Sequence, residues 1–287
     1  MSKQIPHIVY KYRNCSKYSI ENLKNNVVWC STLDNYNDPY EGYTTVSFLQ
    51  YYKAFLNIKT NNHYKTQIDL IKNDDELVDF VVKEKIGSYK NVKEACEQHK
   101  KFLQELHKKQ RDNNIQNTAM CSFSEDNNNG LMWAHYSDSH KGFCISYDTD
   151  QMQNNLYKVK YKKSIFNISD ELIKILQLGK KYKPNQNLPS QMCIQKDIIW
   201  KYEKEWRLIF SGIDIDPEFR FDKQKMEELK NKKGFLYKLI PKAVYLGTKI
   251  EEPNEREILQ IARAQKLNAY KMEMDDDNYM LLPKIIF

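Results

Sequence analysis

Short runs rich in β-branched and aromatic residues, bounded by Asn, Asp, Gly and Pro, recur along this chain. They predict strands over His7–Tyr12, Val27–Ser31, Thr118–Ser124, Gly142–Tyr147, Leu156–Tyr161, Glu205–Phe210, Phe219–Phe221, Tyr237–Ile240, Ala243–Gly247, Ala269–Met274 and Met280–Ile286. Apolar positions three to four residues apart predict helices over Ser19–Asn25, Leu131–Tyr136, Ser190–Lys201 and Asn254–Gln265. From Asn35 to Gly42 the order Asn-Tyr-Asn-Asp-Pro-Tyr-Glu-Gly breaks regular structure and predicts a loop, and Asp275–Asp277 predicts a turn.

Residues 46–116 differ in character, being polar and Lys-rich with no run that reads as a strand. Val92, Cys96, His99, Phe102, Leu103 and Leu106 follow the spacing of one helix face there. The pattern predicts a single α+β domain over 1–287, with 46–116 as a helical insertion or subdomain near the N-terminal third. Strands joined mostly by short turns favour a mixed or antiparallel central sheet over a doubly wound parallel one.

Composition narrows the function classes. No apolar run approaches the roughly 20 residues that cross a bilayer, and Met1–Pro6 contains no apolar signal region, so a cytoplasmic protein without a membrane partner is expected. The six cysteines show no CxxC pair and no paired histidines accompany them, which predicts neither a metal site nor a disulfide framework. A net charge of +7, from 45 basic and 38 acidic residues, is spread along the chain and forms no arginine-rich stripe. GxxxxGK, GxGxxG, GxSxG and HExxH are all absent.

Four clusters combine polar groups with rigid aromatics. Asn37-Asp38-Pro39-Tyr40-Glu41 holds an amide and two carboxylates around a fixed turn, or is simply a capping turn. Met132-Trp133-Ala134-His135-Tyr136 puts Trp133 and Tyr136 on one helix face and His135 elsewhere; His135 is a candidate acid or base, while the aromatics suit a core. Trp200-Lys201-Tyr202-Glu203-Lys204-Glu205-Trp206-Arg207 places two carboxylates i, i+2 at a strand entrance among water-excluding rings, unless they pair with Lys204 and Arg207. Tyr10-Lys11-Tyr12 with Trp29-Cys30-Ser31 offers two strands able to line a nucleotide pocket, or a Tyr-rich sheet.

Taken in order, Tyr10-Lys11-Tyr12, Trp29-x-Ser31, Asn37 to Glu41, Cys121-Ser-Phe-Ser-Glu125, Met132 to Tyr136, Lys141-Gly-Phe-Cys144 and Trp200 to Arg207 resemble a bacterial family of unknown function, numbered 2971, from about Tyr10 to Gly247. More loosely, a strand, a helix, a strand ending in Ser and a much later Glu look like the layout of ADP-ribosyltransferases, which use NAD. That resemblance implies that Tyr10 or Tyr12 and Ser31 hold NAD together with Asn37, Asp38 and Arg207. It implies that Tyr136 or His135 stacks on nicotinamide and that Glu205, favoured over Glu203, is catalytic. The early His or Arg that most such enzymes carry is missing. The implied function is a toxin or anti-phage effector that acts on nucleic acid or protein through a nucleotide ligand. The alternatives are a metal-dependent nuclease using Asp38, Glu41, Glu203 and Glu205 for Mg²⁺, and a non-catalytic nucleotide- or partner-binding module.

Overall fold

The computed structural model describes residues 5–86, 92–152, 155–183, 188–211 and 233–287. The β-branched and aromatic runs form β1 (Ile8–Arg13), β2 (Val27–Thr32), β4 (Thr118–Ser124), β5 (Phe143–Asp148), β10 (Glu205–Ser211), β11 (Gly234–Lys238), β12 (Pro241–Leu246), β13 (Asn268–Met274) and β14 (Leu281–Ile285). They hydrogen-bond in the order β11-β2-β4-β1-β5-β12-β13-β14, with β10 joined to β4 and to the short β6 (Leu156–Lys158). The ladders of this sheet are antiparallel except β12 with β13, which run parallel. The helix α9 (Glu252–Ala264) lies between those two strands in the chain, as a parallel connection requires. The protein is therefore α+β with a mixed, mostly antiparallel sheet.

Alternation along the strands sends side chains to two faces. One face packs Val9, Val28, Cys30, Cys121, Ile145, Leu208 and Val244 against Ile258 and Ala262 of α9 and against Ile20 and Leu23 of α1 (Lys17–Lys24). Ser16 starts α1 by accepting the Ser19 N–H at 3.3 Å. The opposite face packs Tyr12, Cys144, Ala243 and Tyr245 against Met132 and Trp133 of α6 (Gly130–Tyr136), which Asn129 caps through the Leu131 N–H at 3.0 Å.

The short β3 (Thr44–Thr45) pairs in parallel with β8 (Phe166–Asn167), which α7 (Ser169–Leu178) follows, and between β3 and β4 the chain forms α2 (Phe48–Lys59), α3 (Lys65–Leu70), α4 (Asp74–Lys83) and α5 (Val92–Asn117). These helices share an apolar cluster of their own that includes Tyr52, Leu56, Ile68, Leu77, Val81 and Cys96. On the expected α5 face, Cys96 and Leu103 are buried, while Phe102 is exposed.

Three expectations need correction. The helix expected over Ser190–Lys201 is instead α8 (Leu188–Cys193), then β9 (Gln195–Asp197), then a 3₁₀ segment over Ile198–Glu203. Ile194 and Ile198 stand at helical spacing, but β9 pairs in parallel with β7 (Lys160–Lys162) and turns Lys196 inward. The strand expected over Leu156–Tyr161 divides at Val159, whose N–H donates to Glu205 O at 3.0 Å as the chain leaves β10 for β9. The strand expected over Tyr237–Ile240 ends at Lys238, and Leu239 N–H turns to Asn26 O. The expected strand Phe219–Phe221 lies outside the described residues.

Candidate functional site

The site follows from how β4 shares its edges. One edge is bonded along its whole length to β10, from Thr118 opposite Ser211 to Ser124 opposite Glu205. The other edge is divided, with β2 meeting Ala119 and Met120 and β1 meeting only Ser124. Over Cys121–Phe123 the sheet opens between β1 and β2. Lys11 reaches across this opening and donates from Nζ to the Ser122 carbonyl at 2.7 Å.

A cleft of about 620 Å³ occupies the opening, within the range of small-ligand sites. Tyr10, Tyr12, Trp29, Tyr36 and Tyr136 supply rigid aromatic walls. Tyr12 is fixed by its edge-on contact with Trp133 and by donating its hydroxyl to Asp126 O at 2.7 Å. Trp29 has room because Gly234, paired with Ser31 on β2, carries no side chain: a Cβ there would sit 2.4 Å from the indole. Lys11 and Arg13 alternate with Tyr10 and Tyr12 along β1 and so belong to the α1 face. All four residues line the cleft, which therefore reaches through the sheet.

At the α6-face end stand Lys196, Glu203 and Glu205, and behind them lie Glu41 and Arg207. All five are buried, Arg207 completely. Arg207 donates Nε to Glu205 Oε1 at 2.8 Å, Nη2 to Glu205 Oε2 at 3.0 Å, and Nη1 and Nη2 to the two Glu41 oxygens at 2.6 and 2.7 Å. Its remaining N–H goes to the Cys193 carbonyl, so all five guanidinium donors are used. Lys196 Nζ lies 2.7 Å from Glu203 Oε2, 3.2 Å from Glu205 Oε2 and 3.6 Å from Glu41 Oε1. Tyr136 donates its hydroxyl to Glu203 Oε1 at 2.6 Å.

Three carboxylates against two cations leave one carboxylate in excess, and the two glutamates of the third sequence cluster divide accordingly. Burial alone would raise Glu205, but Arg207 and Lys196 outweigh it and hold its carboxyl down to about 2. Glu203 is pushed above the usual carboxylate range by burial, against the pull of Lys196 and with the Glu205 charge adding to the rise. Burial, reinforced by Glu203, also raises the Tyr136 phenol and keeps it a donor.

Of the residues expected at a site, Tyr10, Tyr12, Ser31, Asn37, Tyr136, Glu203 and Glu205 line this one cleft. Three do not. Asp38 turns its carboxylate to the Tyr40 N–H at 2.9 Å and borders a separate cavity of about 260 Å³. Arg207 has no donor left for a ligand. His135 lies exposed on the far side of α6, 2.9 Å from the Tyr202 hydroxyl. Nor do the carboxylates considered for Mg²⁺ form a ligand set, because Glu41 and Glu205 hold Arg207 and Asp38 caps a turn. Among the described residues no group of three or more His, Cys, Asp or Glu could hold a metal ion. All six cysteines are free thiols. Among the described residues, no helix is long and apolar enough to cross a membrane.

Sequence reading missed Lys196, Arg13 and Tyr36. Lys196 sits in an unremarkable Gln-Lys-Asp run, and only its burial beside three carboxylates sets it apart.

No curated protein and no solved structure matches the chain. Residues 132–208 match a family model described as protein of unknown function (DUF2971). The match takes in Tyr136, Lys196, Glu203, Glu205 and Arg207, and it supports the family resemblance over that part of the chain, while the ADP-ribosyltransferase-like layout finds no support in these comparisons.

Proposed function

We propose that the cleft binds a nucleotide of the NAD class and that the protein uses it as an ADP-ribosyltransferase-like enzyme. It would break the bond between ribose and nicotinamide and pass the ribosyl group to water or to a nucleic-acid or protein acceptor. The observation that carries this reading is Glu203, the surplus carboxylate of a buried cluster, which opens onto an aromatic-walled cleft. An uncompensated carboxylate costs stability in the free protein and becomes useful when positive charge develops beside it, as at a ribosyl carbon losing its base. With its pKa raised, the same group is suited to accept a proton from an incoming acceptor. Tyr136 and Lys196 hold Glu203 in place, and Glu205 with Arg207 forms the rigid support behind it. Tyr10, Trp29 and Tyr36 offer faces for flat rings and, with Tyr12, exclude water.

The test is NAD turnover by wild type and Glu203→Gln. The variant should lose about a hundredfold or more, the usual scale for one such electrostatic group, with its melting temperature unchanged or higher. Equal turnover per folded molecule, or no turnover by wild type, would remove the reading.

A further inference from the structure

Lys11 and Arg13 stand two residues apart on β1, and alternation places both on the α1 face of the sheet, where each lines the cleft. Their electrostatic setting is unlike that of the other cations in the interior. Lys196 and Arg207 each lie among two or more carboxylates. Lys11 donates to the Ser122 carbonyl at 2.7 Å, lies 5.3 Å from the Phe123 ring centroid and faces the Cys121 thiol, which, against the effect of burial, Cys30, Lys11 and Arg13 hold down to about 6. Arg13 makes no ion pair among the described residues. The titratable groups facing Lys11 are Arg13 on its own strand, Cys121 on β4, Cys30 on β2 and Cys144 on β5; none is a carboxylate. Burial accordingly holds the Lys11 ammonium below the usual lysine range.

Two cations at one end of a ligand-sized cleft, with no carboxylate among the described residues and only the Cys121 thiol to balance them, leave positive charge for an anion to meet. We propose that the α1-face end of the cleft is an anion subsite in which Lys11 and Arg13 hold the phosphate or diphosphate of an elongated ligand whose other end lies toward Glu203. The inference rests on reading the cleft as a nucleotide site, and it names the part of the nucleotide recognised there. Arg13 suits a phosphate through its planar fork, and Lys11 through a point charge. Ser19 of α1 and Asn14 line the same end and add neutral polar groups. A bound phosphate adds negative charge beside Lys11 and Cys121, so binding raises the affinity of both for a proton. In the pH range where free Lys11 is partly neutral, binding takes up protons, and affinity falls as pH rises.

Calorimetric titration with inorganic pyrophosphate, ADP and adenosine tests this. Wild type should bind pyrophosphate and ADP, and adenosine at least about tenfold more weakly than ADP, the scale of one lost charge-assisted contact. Arg13→Gln and Lys11→Met should each weaken ADP by about tenfold or more and leave adenosine unchanged. Lys11→Met should also reduce proton uptake, measured in buffers of different ionisation enthalpy. Adenosine binding as tightly as ADP, or either variant binding ADP like wild type, would overturn the subsite. ADP binding by wild type without NAD turnover would refute the enzyme reading alone. NAD turnover by wild type with ADP affinity unchanged in both variants would refute the subsite alone.

Discussion

Arg207 grips Glu205 with two nitrogens, Nε on Oε1 at 2.8 Å and Nη2 on Oε2 at 3.0 Å, while neither residue is more than 3% exposed. Such a pair is rigid, and breaking it takes two charge-assisted hydrogen bonds from a fully buried Arg207, which keeps only Glu41 as a charged partner. Glu205→Gln is therefore expected to cost about 3–5 kcal/mol of stability. Denaturant melts of wild type and Glu205→Gln check this, and a loss within ~0.5 kcal/mol would mean that the clamp contributes little.

Glu203 should behave in the opposite way. Removing its charge leaves two carboxylates facing two cations, so Glu203→Gln should leave stability unchanged or raise it at pH 7. The same melts measure it, and a loss as large as that of Glu205→Gln would place both glutamates in one structural role.

Acid weakens the fold through Glu205. Glu205 titrates near 2 when folded against about 4.3 when unfolded, so its contribution is complete above about 4.3 and is lost as pH falls toward 2. That loss is on the order of 3 kcal/mol. Glu203, raised on folding, has the reverse slope: its cost is relieved as pH falls through its folded value. Stability measured from pH 7 to 2 should fall below about pH 4 in wild type, with a clearly shallower slope in Glu205→Gln. An identical slope in both would contradict the assignment.

Gly234 is expected to set the position of Trp29. A Cβ there would lie 2.4 Å from the indole and 2.5 Å from Cys30 O, so Gly234→Ala must move the ring or β11. The expected cost is about 1–3 kcal/mol, accompanied by a shift in tryptophan emission. Unaltered emission with unaltered stability would show that the indole is not confined there.

The sequence carried the strands well because β-branched and aromatic runs mark them locally, and β1, β2, β4, β5 and β10 lie within a residue or two of expectation. It carried less of the region around Lys196. There the apolar spacing reads as a helix, and what decides the structure is a parallel pairing of β9 with β7, more than 30 residues earlier in the chain. At the site, residue types that suit a ligand pocket were legible, but their division of labour was not. Glu203 and Glu205 look equivalent in sequence; they differ because Arg207 reaches one and Tyr136 the other. Arg207 and Asp38 look available in sequence and are fully engaged or turned away in the fold. The opening between β1 and β2 depends on how two distant strands share one edge of β4, which no local pattern records.

Titrating NAD while following tryptophan emission decides whether this opening is a nucleotide site. Of the four tryptophans, Trp29 alone lines the cleft. A nucleotide site there gives a saturable change with a dissociation constant of roughly 1 μM to 1 mM, the range of ordinary substrate affinities, and the change is lost in Trp29→Phe. No saturable change in wild type, or the same change in Trp29→Phe, would contradict it.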